Sequence, residues 1–235
     1  MYRFDSRVRY SETDEQGRLS LTGILNYLQD CSTFQSEDLG IGIEYLNAHN
    51  RAWWVTSWQI VIDRAPVLGE RIVISTWPYD FKGIYGYRNF AIQDLEGRYL
   101  VKANSIWFFY DTKNQRPVRA AREDVEGYGK PEERLDMKYA PRRISLPEEY
   151  EEQKAIVVAR HHLDTNHHVN NARYVEIARE LLPEDTAVRE IRVEYKKAAV
   201  LGDCIVPRVT KTEDKYLIAL CDRLGSAFAV IMLQE

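Results

Sequence analysis

Polar and apolar positions alternate along this chain with two periods, and the order of those periods is used twice. From Tyr2 to Tyr10 the character switches at every residue, as in a strand with one face exposed. Leu21, Ile24, Leu25 and Leu28 then recur at helical spacing. Four runs rich in β-branched and aromatic residues follow, at Val55 to Ile62, Arg71 to Trp77, Tyr85 to Gln93 and Tyr99 to Tyr110. After a charged stretch the sequence of elements starts again with a leading strand from Lys154 to His162. A helix carrying Val175, Ala178, Leu181 and Leu182 comes next, closed by Pro183. The chain ends in runs at Ile191 to Tyr195, Ile205 to Val209, Tyr216 to Cys221 and Ala227 to Leu233. Asp94-Leu95-Glu96-Gly97 and Asp222-Arg223-Leu224-Gly225 read as the intervening hairpin turns.

Residue matches between the halves support a duplication. Asp14, Gln16 and Arg18 occupy the places of Asp164, Asn166 and His168, and a helix follows each set. Further on, Arg64-Ala65-Pro66-Val67-Leu68-Gly69-Glu70-Arg71-Ile72-Val73 answers Lys197-Ala198-Ala199-Val200-Leu201-Gly202-Asp203-Cys204-Ile205-Val206. The first copy carries extra residues between these landmarks, expected around Asp38 to Trp54. One helix followed by strands with short turns predicts an α+β fold in which an antiparallel sheet wraps a long helix. This is the hotdog architecture, here in tandem: an N-terminal hotdog over residues 1–111 and a C-terminal one over 154–235. Residues 112–153 hold Pro117, Pro131, Pro141 and Pro147 among many charges, which suits a connection over the surface.

Composition narrows the classes. With 235 residues, 45% of them apolar, the chain can bury a sizeable core. A formal net charge of −4 gives no broad electrostatic reason to bind nucleic acid. No apolar run reaches the roughly 20 residues that a membrane span needs, and the first residues already alternate like a strand, so a cytoplasmic location is expected. Cys31, Cys204 and Cys221 form no C-x-x-C pair and read as small buried groups. His161, His162 and His167 lack a well-spaced set of carboxylates, so no metal site is expected. Within the connection Lys113, Arg116, Arg119 and Arg122 run without an acid, and Arg142 and Arg143 follow. They are either a solvated surface or a landing site for an acidic partner.

The densest chemistry lies in Asp164-Thr165-Asn166-His167-His168-Val169-Asn170-Asn171. If the segment is extended, residues at i, i+2 and i+4 share a side, and Asp164, Asn166 and His168 converge in front of a helix N-terminus. A carboxylate, a carboxamide donor and an imidazole there suit attack of water on a carbonyl without a Ser or Cys nucleophile. Asn170 or Asn171 also reads as the helix N-cap. In the first copy Arg18 replaces the imidazole and stays protonated, so that half is expected to hold substrate rather than act on it. Trp53, Trp54 and Trp58, with Phe81, Tyr85 and Tyr87, are candidates to line a substrate pocket.

With the repeat and the D-x-N-x-H-V-N-N-x-x-Y pattern from Asp164 to Tyr174 in place, nearly the whole chain resembles the acyl-acyl carrier protein (ACP) thioesterases of plastids and bacteria. Ser105-Ile106-Trp107-Phe108-Phe109-Tyr110-Asp111 adds weaker support. The resemblance implies hydrolysis of the thioester between a fatty acyl chain and the carrier's phosphopantetheine arm. Asp164, Asn166 and His168 would then be catalytic, with Asn170, Asn171 and Tyr174 beside the substrate and Arg116, Arg119 and Arg142 receiving the acidic carrier. It implies no cofactor. Where plant members read E-Y-R-R-E-C, this chain has Glu194-Tyr195-Lys196-Lys197-Ala198-Ala199, so the water-activating Glu and the Cys are absent. Hydrolysis of acyl-coenzyme A, a hydratase reaction and non-catalytic thioester binding stay open, as does further dimerisation.

Overall fold

The computed structural model describes residues 1–235, and the chain divides into two compact units. The first comprises Met1–Thr56 and Ile62–Tyr139. Its elements are β1 (Tyr2–Arg7), α1 (Leu21–Asp38), α2 (Ile43–Ala48), β2 (Arg51–Ile62), β3 (Arg71–Lys82), β4 (Tyr85–Gln93), β5 (Tyr99–Asp111), the short β6 (Arg116–Pro117) and α3 (Arg122–Val125). The strands are antiparallel in the order β1-β3-β4-β5-β2. Helix α1 lies on β1, β3 and β4. Ser20 starts it by accepting the Gly23 N–H at 3.0 Å, and Ile24, Leu28, Cys31 and Gln35 form its buried stripe. The excess expected around Asp38 to Trp54 is α2 and the lengthened start of β2.

The second unit comprises Ser57–Val61 of β2 and Ala140–Glu235. It contains the two-residue strands β7 (Glu151–Glu152) and β8 (Ile156–Val157), then α4 (Asn171–Arg179), β9 (Glu190–Tyr195), β10 (Cys204–Lys211), β11 (Lys215–Cys221) and β12 (Ala227–Gln234). Ser57–Val61 pair antiparallel with β9, and the sheet continues through β12 and β11 to β10. The sequence predicts a leading strand over Lys154 to His162. Only Ile156–Val157 pair, with Cys204 and Ile205, and Arg160–His162 turn into a single 3-10 coil. The first half does the same on a smaller scale, where β1 stops at Arg7 before the coil Tyr10–Glu12. Helix α4 has 9 residues against 18 in α1, and Leu181 and Leu182 continue it only as turns. Each unit is thus a hotdog, an antiparallel sheet with a helix against its inner face.

The connection does more than bridge. In the first unit the backbone N–H of Leu135 and the hydroxyl of Tyr139 both donate to Asn89 Oδ1, at 3.0 and 2.9 Å, and Trp77 Nε1 donates to the Glu133 carbonyl at 2.8 Å. Leu135 is buried by this clasp. In the second unit Ile144 packs on Val230 and Met232. No helix is long and apolar enough to cross a membrane.

Candidate active site

Residues 163–169 form a closed turn rather than an extended segment. Leu163 and Val169 bridge antiparallel, the Asp164 N–H donates to the His168 carbonyl at 2.8 Å, and the His167 N–H donates to the Asp164 carbonyl at 3.1 Å. The Asp164 carboxylate folds back on this loop: its Oδ1 accepts the backbone N–H of Asn166 at 2.8 Å and of His168 at 3.3 Å. Alternating polar residues look like a strand, yet an Asp whose side chain reaches the N–H two residues on favours a turn.

The same five-residue turn occurs four times. Asp14, Asp94 and Asp222 each bond through Oδ1 to the third and fifth N–H of their own pentad, at 3.0 and 2.8, 3.0 and 2.9, and 2.9 and 2.9 Å. The fourth position is left-handed in every case, with φ of 71° at Gly17, 81° at Gly97, 84° at Gly225 and 60° at His167. Three copies place glycine where the backbone asks for it. The Asp164 turn alone carries a side chain there. Asp164 therefore has the same structural task as Asp14, Asp94 and Asp222, and it bonds Asn166 and His168 through their main chain.

Around this turn the two halves match bond for bond. Val169 N–H donates to the Ala199 carbonyl at 2.9 Å and Asn170 N–H to the His162 carbonyl at 2.8 Å, as Leu19 does to Pro66 at 2.7 Å and Ser20 to Glu12 at 3.0 Å. His168 bridges Val200 as Arg18 bridges Val67. Asn170 is the N-cap of α4, its Oδ1 accepting the Ala172 N–H at 2.9 Å. Asn171 gives its carbonyl to the Tyr195 hydroxyl at 3.0 Å. Tyr174 is buried, and its hydroxyl accepts the Ala199 N–H at 3.0 Å, which fixes the strand edge against which His168 lies. Burial pushes the Tyr174 phenol up to about 12, so it stays protonated. Asn166 and His167 are exposed and His168 is half-buried. The Asn166 side chain makes no hydrogen bond in the chain and is exposed on the loop that leads into the N-terminus of α4. Ala198 is exposed close by, and Asp203 spends Oδ2 on the Val200 N–H at 2.9 Å.

The tryptophans separate. Trp53 packs against Phe109 at 4.7 Å and Phe81 at 6.3 Å between centroids, and Gly86 leaves room for it. Trp54 stacks instead on Tyr110 at 3.9 Å and meets Phe108, the neighbours of Phe109 that point the other way. Trp58 is buried in the second unit. Arg116 and Arg119 in the first unit and Arg142 in the second are exposed.

Residues 1–128 match the acyl-ACP thioesterase N-terminal domain family and residues 145–226 the corresponding C-terminal domain family. The chain belongs to the acyl-ACP thioesterases. Among relatives, a chloroplastic palmitoyl-acyl carrier protein thioesterase of Gossypium hirsutum is 24% identical over 224 residues, covering 88% of this chain and 54% of that protein. The chain spans about half the length of the curated relatives it matches. Two solved family structures share the fold with a TM-score of 0.87, covering 99% of this chain and 96% of theirs. They are an acyl-ACP thioesterase from Bacteroides thetaiotaomicron, 20% identical, and a 12:0-ACP thioesterase from Umbellularia californica, 18% identical.

Proposed function

We propose that the chain hydrolyses the thioester of fatty acyl-ACP, releasing a free fatty acid and the carrier thiol. The observation that carries this reading is the two-part match to the acyl-ACP thioesterase domains, laid over a turn that holds Asn166 outward by its main chain. The Asn166 amide donates to the thioester carbonyl oxygen as negative charge grows there, and the first N–H groups of α4 add to the positive field. His168, the half-buried imidazole of the same turn, takes a proton from the attacking water. It returns that proton to sulfur as the C–S bond breaks. Asp164 keeps both residues in register through Oδ1. With alanine at 198, His168 is left as the base of this scheme.

The N-terminal hotdog, residues 1–111, is the acyl-chain half in this reading, with Trp53 the tryptophan that joins its Phe81 and Phe109 cluster; Trp54 and Trp58 pack elsewhere. Residues 112–153 supply the connection, and 154–235 the reacting groups. Arg116, Arg119 and Arg142 offer positive charge to the acidic carrier. Three free cysteines suit a reducing compartment, so the reaction is put in the cytoplasm. The test is release of free fatty acid from a panel of acyl-ACP substrates, run beside the same acyl groups on coenzyme A. Hydrolysis of the ACP esters is expected to be faster. Equal or greater rates on coenzyme A esters would move the substrate class, and thioester binding without release would make the protein a binding module.

A further inference from the structure

Arg88 is 8% exposed inside the first unit, on the face of β4 that meets α1. Its Nη1 donates to Gln35 Oε1 at 2.7 Å and to Thr76 Oγ1 at 2.9 Å, and its guanidinium lies over the Tyr128 ring at 5.1 Å. All three partners are neutral. The neighbouring Cys31 thiol is no counter-ion either, because burial pushes it up to about 12. A cation taken largely out of water without a carboxylate is costly, and Nε and Nη2 make no hydrogen bond to the protein while keeping some accessible surface.

The setting is a change of character along the sheet's inner face. Next to Arg88 in register stands Ser105, whose Oγ accepts from Trp107 Nε1 at 2.6 Å. Thr76 lies on the adjacent strand and Gln35 at the last turn of α1. On one side of this belt the face is apolar, with Ile74, Phe90, Ile92 and Ala103 fully buried. The second unit shows that the fold does not require such a belt. By register, Tyr216, Val209 and Leu233 stand there at the places of Arg88, Thr76 and Ser105, and α4 ends before a counterpart of Gln35.

We infer that the Arg88, Gln35, Thr76 and Ser105 belt is a subsite for an oxygen function carried on the acyl chain itself, a carboxylate or a hydroxyl, and that it selects such chains over plain ones of equal length. The inference rests on the reading of the first unit as the acyl-chain half. The Nε and Nη2 donors face the incoming oxygen, which supplies the acceptor that the protein lacks, while a methyl end brought to the same place would leave them unsatisfied.

The experiment measures kcat/KM on ACP esters of plain, terminally hydroxylated and terminally carboxylated acyl chains over a series of lengths, for the wild type, Arg88→Met and Gln35→Leu. The wild type is expected to favour an oxygenated chain at the length that reaches the belt. Arg88→Met should lower the oxygenated-to-plain ratio about tenfold or more, as loss of a charge-assisted hydrogen bond does. Gln35→Leu, which leaves the guanidinium in place, tests the belt if the Arg88 variant does not fold and should move the ratio in the same direction. Binding of the corresponding free acids to the full chain, by calorimetry, is run in parallel. Absence of hydrolysis on every ester would reject the proposed activity, while the calorimetry still decides the subsite by whether oxygenated acids bind more tightly than plain ones. A wild type that prefers plain chains at all lengths, or a ratio unchanged in both variants, overturns the inference.

Discussion

Asp164 Oδ1 holds the backbone N–H of Asn166 at 2.8 Å, so the carboxylate governs the candidate amide through the main chain. A side chain that only accepts hydrogen bonds can be replaced by its amide. Asp164→Asn is therefore expected to keep the turn and most of the turnover, whereas Asp164→Ala, which orphans two N–H groups, should cost about 1–2 kcal/mol in stability and lower activity with it. Urea unfolding and acid release measured on the same samples check this. A fully folded but inactive Asp164→Asn would return the carboxylate to the chemistry.

Asn166 should show the opposite split. Its side chain bonds to nothing in the chain, so Asn166→Ala should leave the melting temperature where it is and cut kcat by roughly 10²-fold or more, the usual effect of losing an oxyanion donor. Unchanged turnover would remove Asn166 from the mechanism.

His167 occupies at φ 60° the position that Gly17, Gly97 and Gly225 fill in the sister turns. A left-handed residue with a Cβ costs of order 1 kcal/mol, partly offset by the entropy glycine loses on folding. His167→Gly is expected to stabilise the protein by a fraction of that amount, and Gly225→Ala to destabilise it by about 1 kcal/mol. Destabilisation by His167→Gly, or no loss of stability in Gly225→Ala, would mean that the four turns are not equivalent.

Much of this was legible in the chain because it is written twice. The strands of both halves follow from period-two apolar runs, and the pairing of Asp14 with Asp164 rests on their common spacing to a helix. The turn geometry was not read. The clue lay in glycines at the fourth place of three Asp-led pentads, and His167 hides the fourth case. Arg88 was missed for a related reason: Gly86, Arg88, Phe90 and Ile92 alternate onto one face, and a single cation inside an apolar pattern resembles a surface residue until its neighbours are known. The nine-residue α4 escaped because Leu181 and Leu182 keep the helical spacing after the regular hydrogen bonding has stopped.

Charge on the connection gives a prediction about the carrier. Arg116 and Arg119 are exposed, and neither belongs to the Asp164 turn. Replacing both with Glu should lower kcat/KM on acyl-ACP by roughly tenfold at low salt, with the loss shrinking as salt rises, because long-range attraction is screened within about a Debye length. The same acyl group on coenzyme A should respond less. Parallel losses on both substrates would show that these arginines do not recognise the protein carrier.

His162 supplies a pH test of the second unit. Its Nδ1 accepts the Ala159 N–H at 3.0 Å, which only a ring without a proton on Nδ1 can do, and Glu12 plays the same part in the first copy by accepting the Arg9 N–H at 2.9 Å. Burial first, then the neighbouring His161 and Arg173, hold the His162 pKa below 6.5, against the opposing pull of Glu176. The unfolded chain then binds this proton more readily than the folded one. The contribution is complete above the unfolded pKa of about 6.5 and is lost as pH falls below it through the folded value. His162→Gln keeps an acceptor at every pH, so the stability difference between about pH 7.5 and pH 5.5 should be smaller in the variant than in the wild type. Denaturant midpoints at the two pH values measure it, and identical slopes would show that the imidazole is not held neutral by this bond.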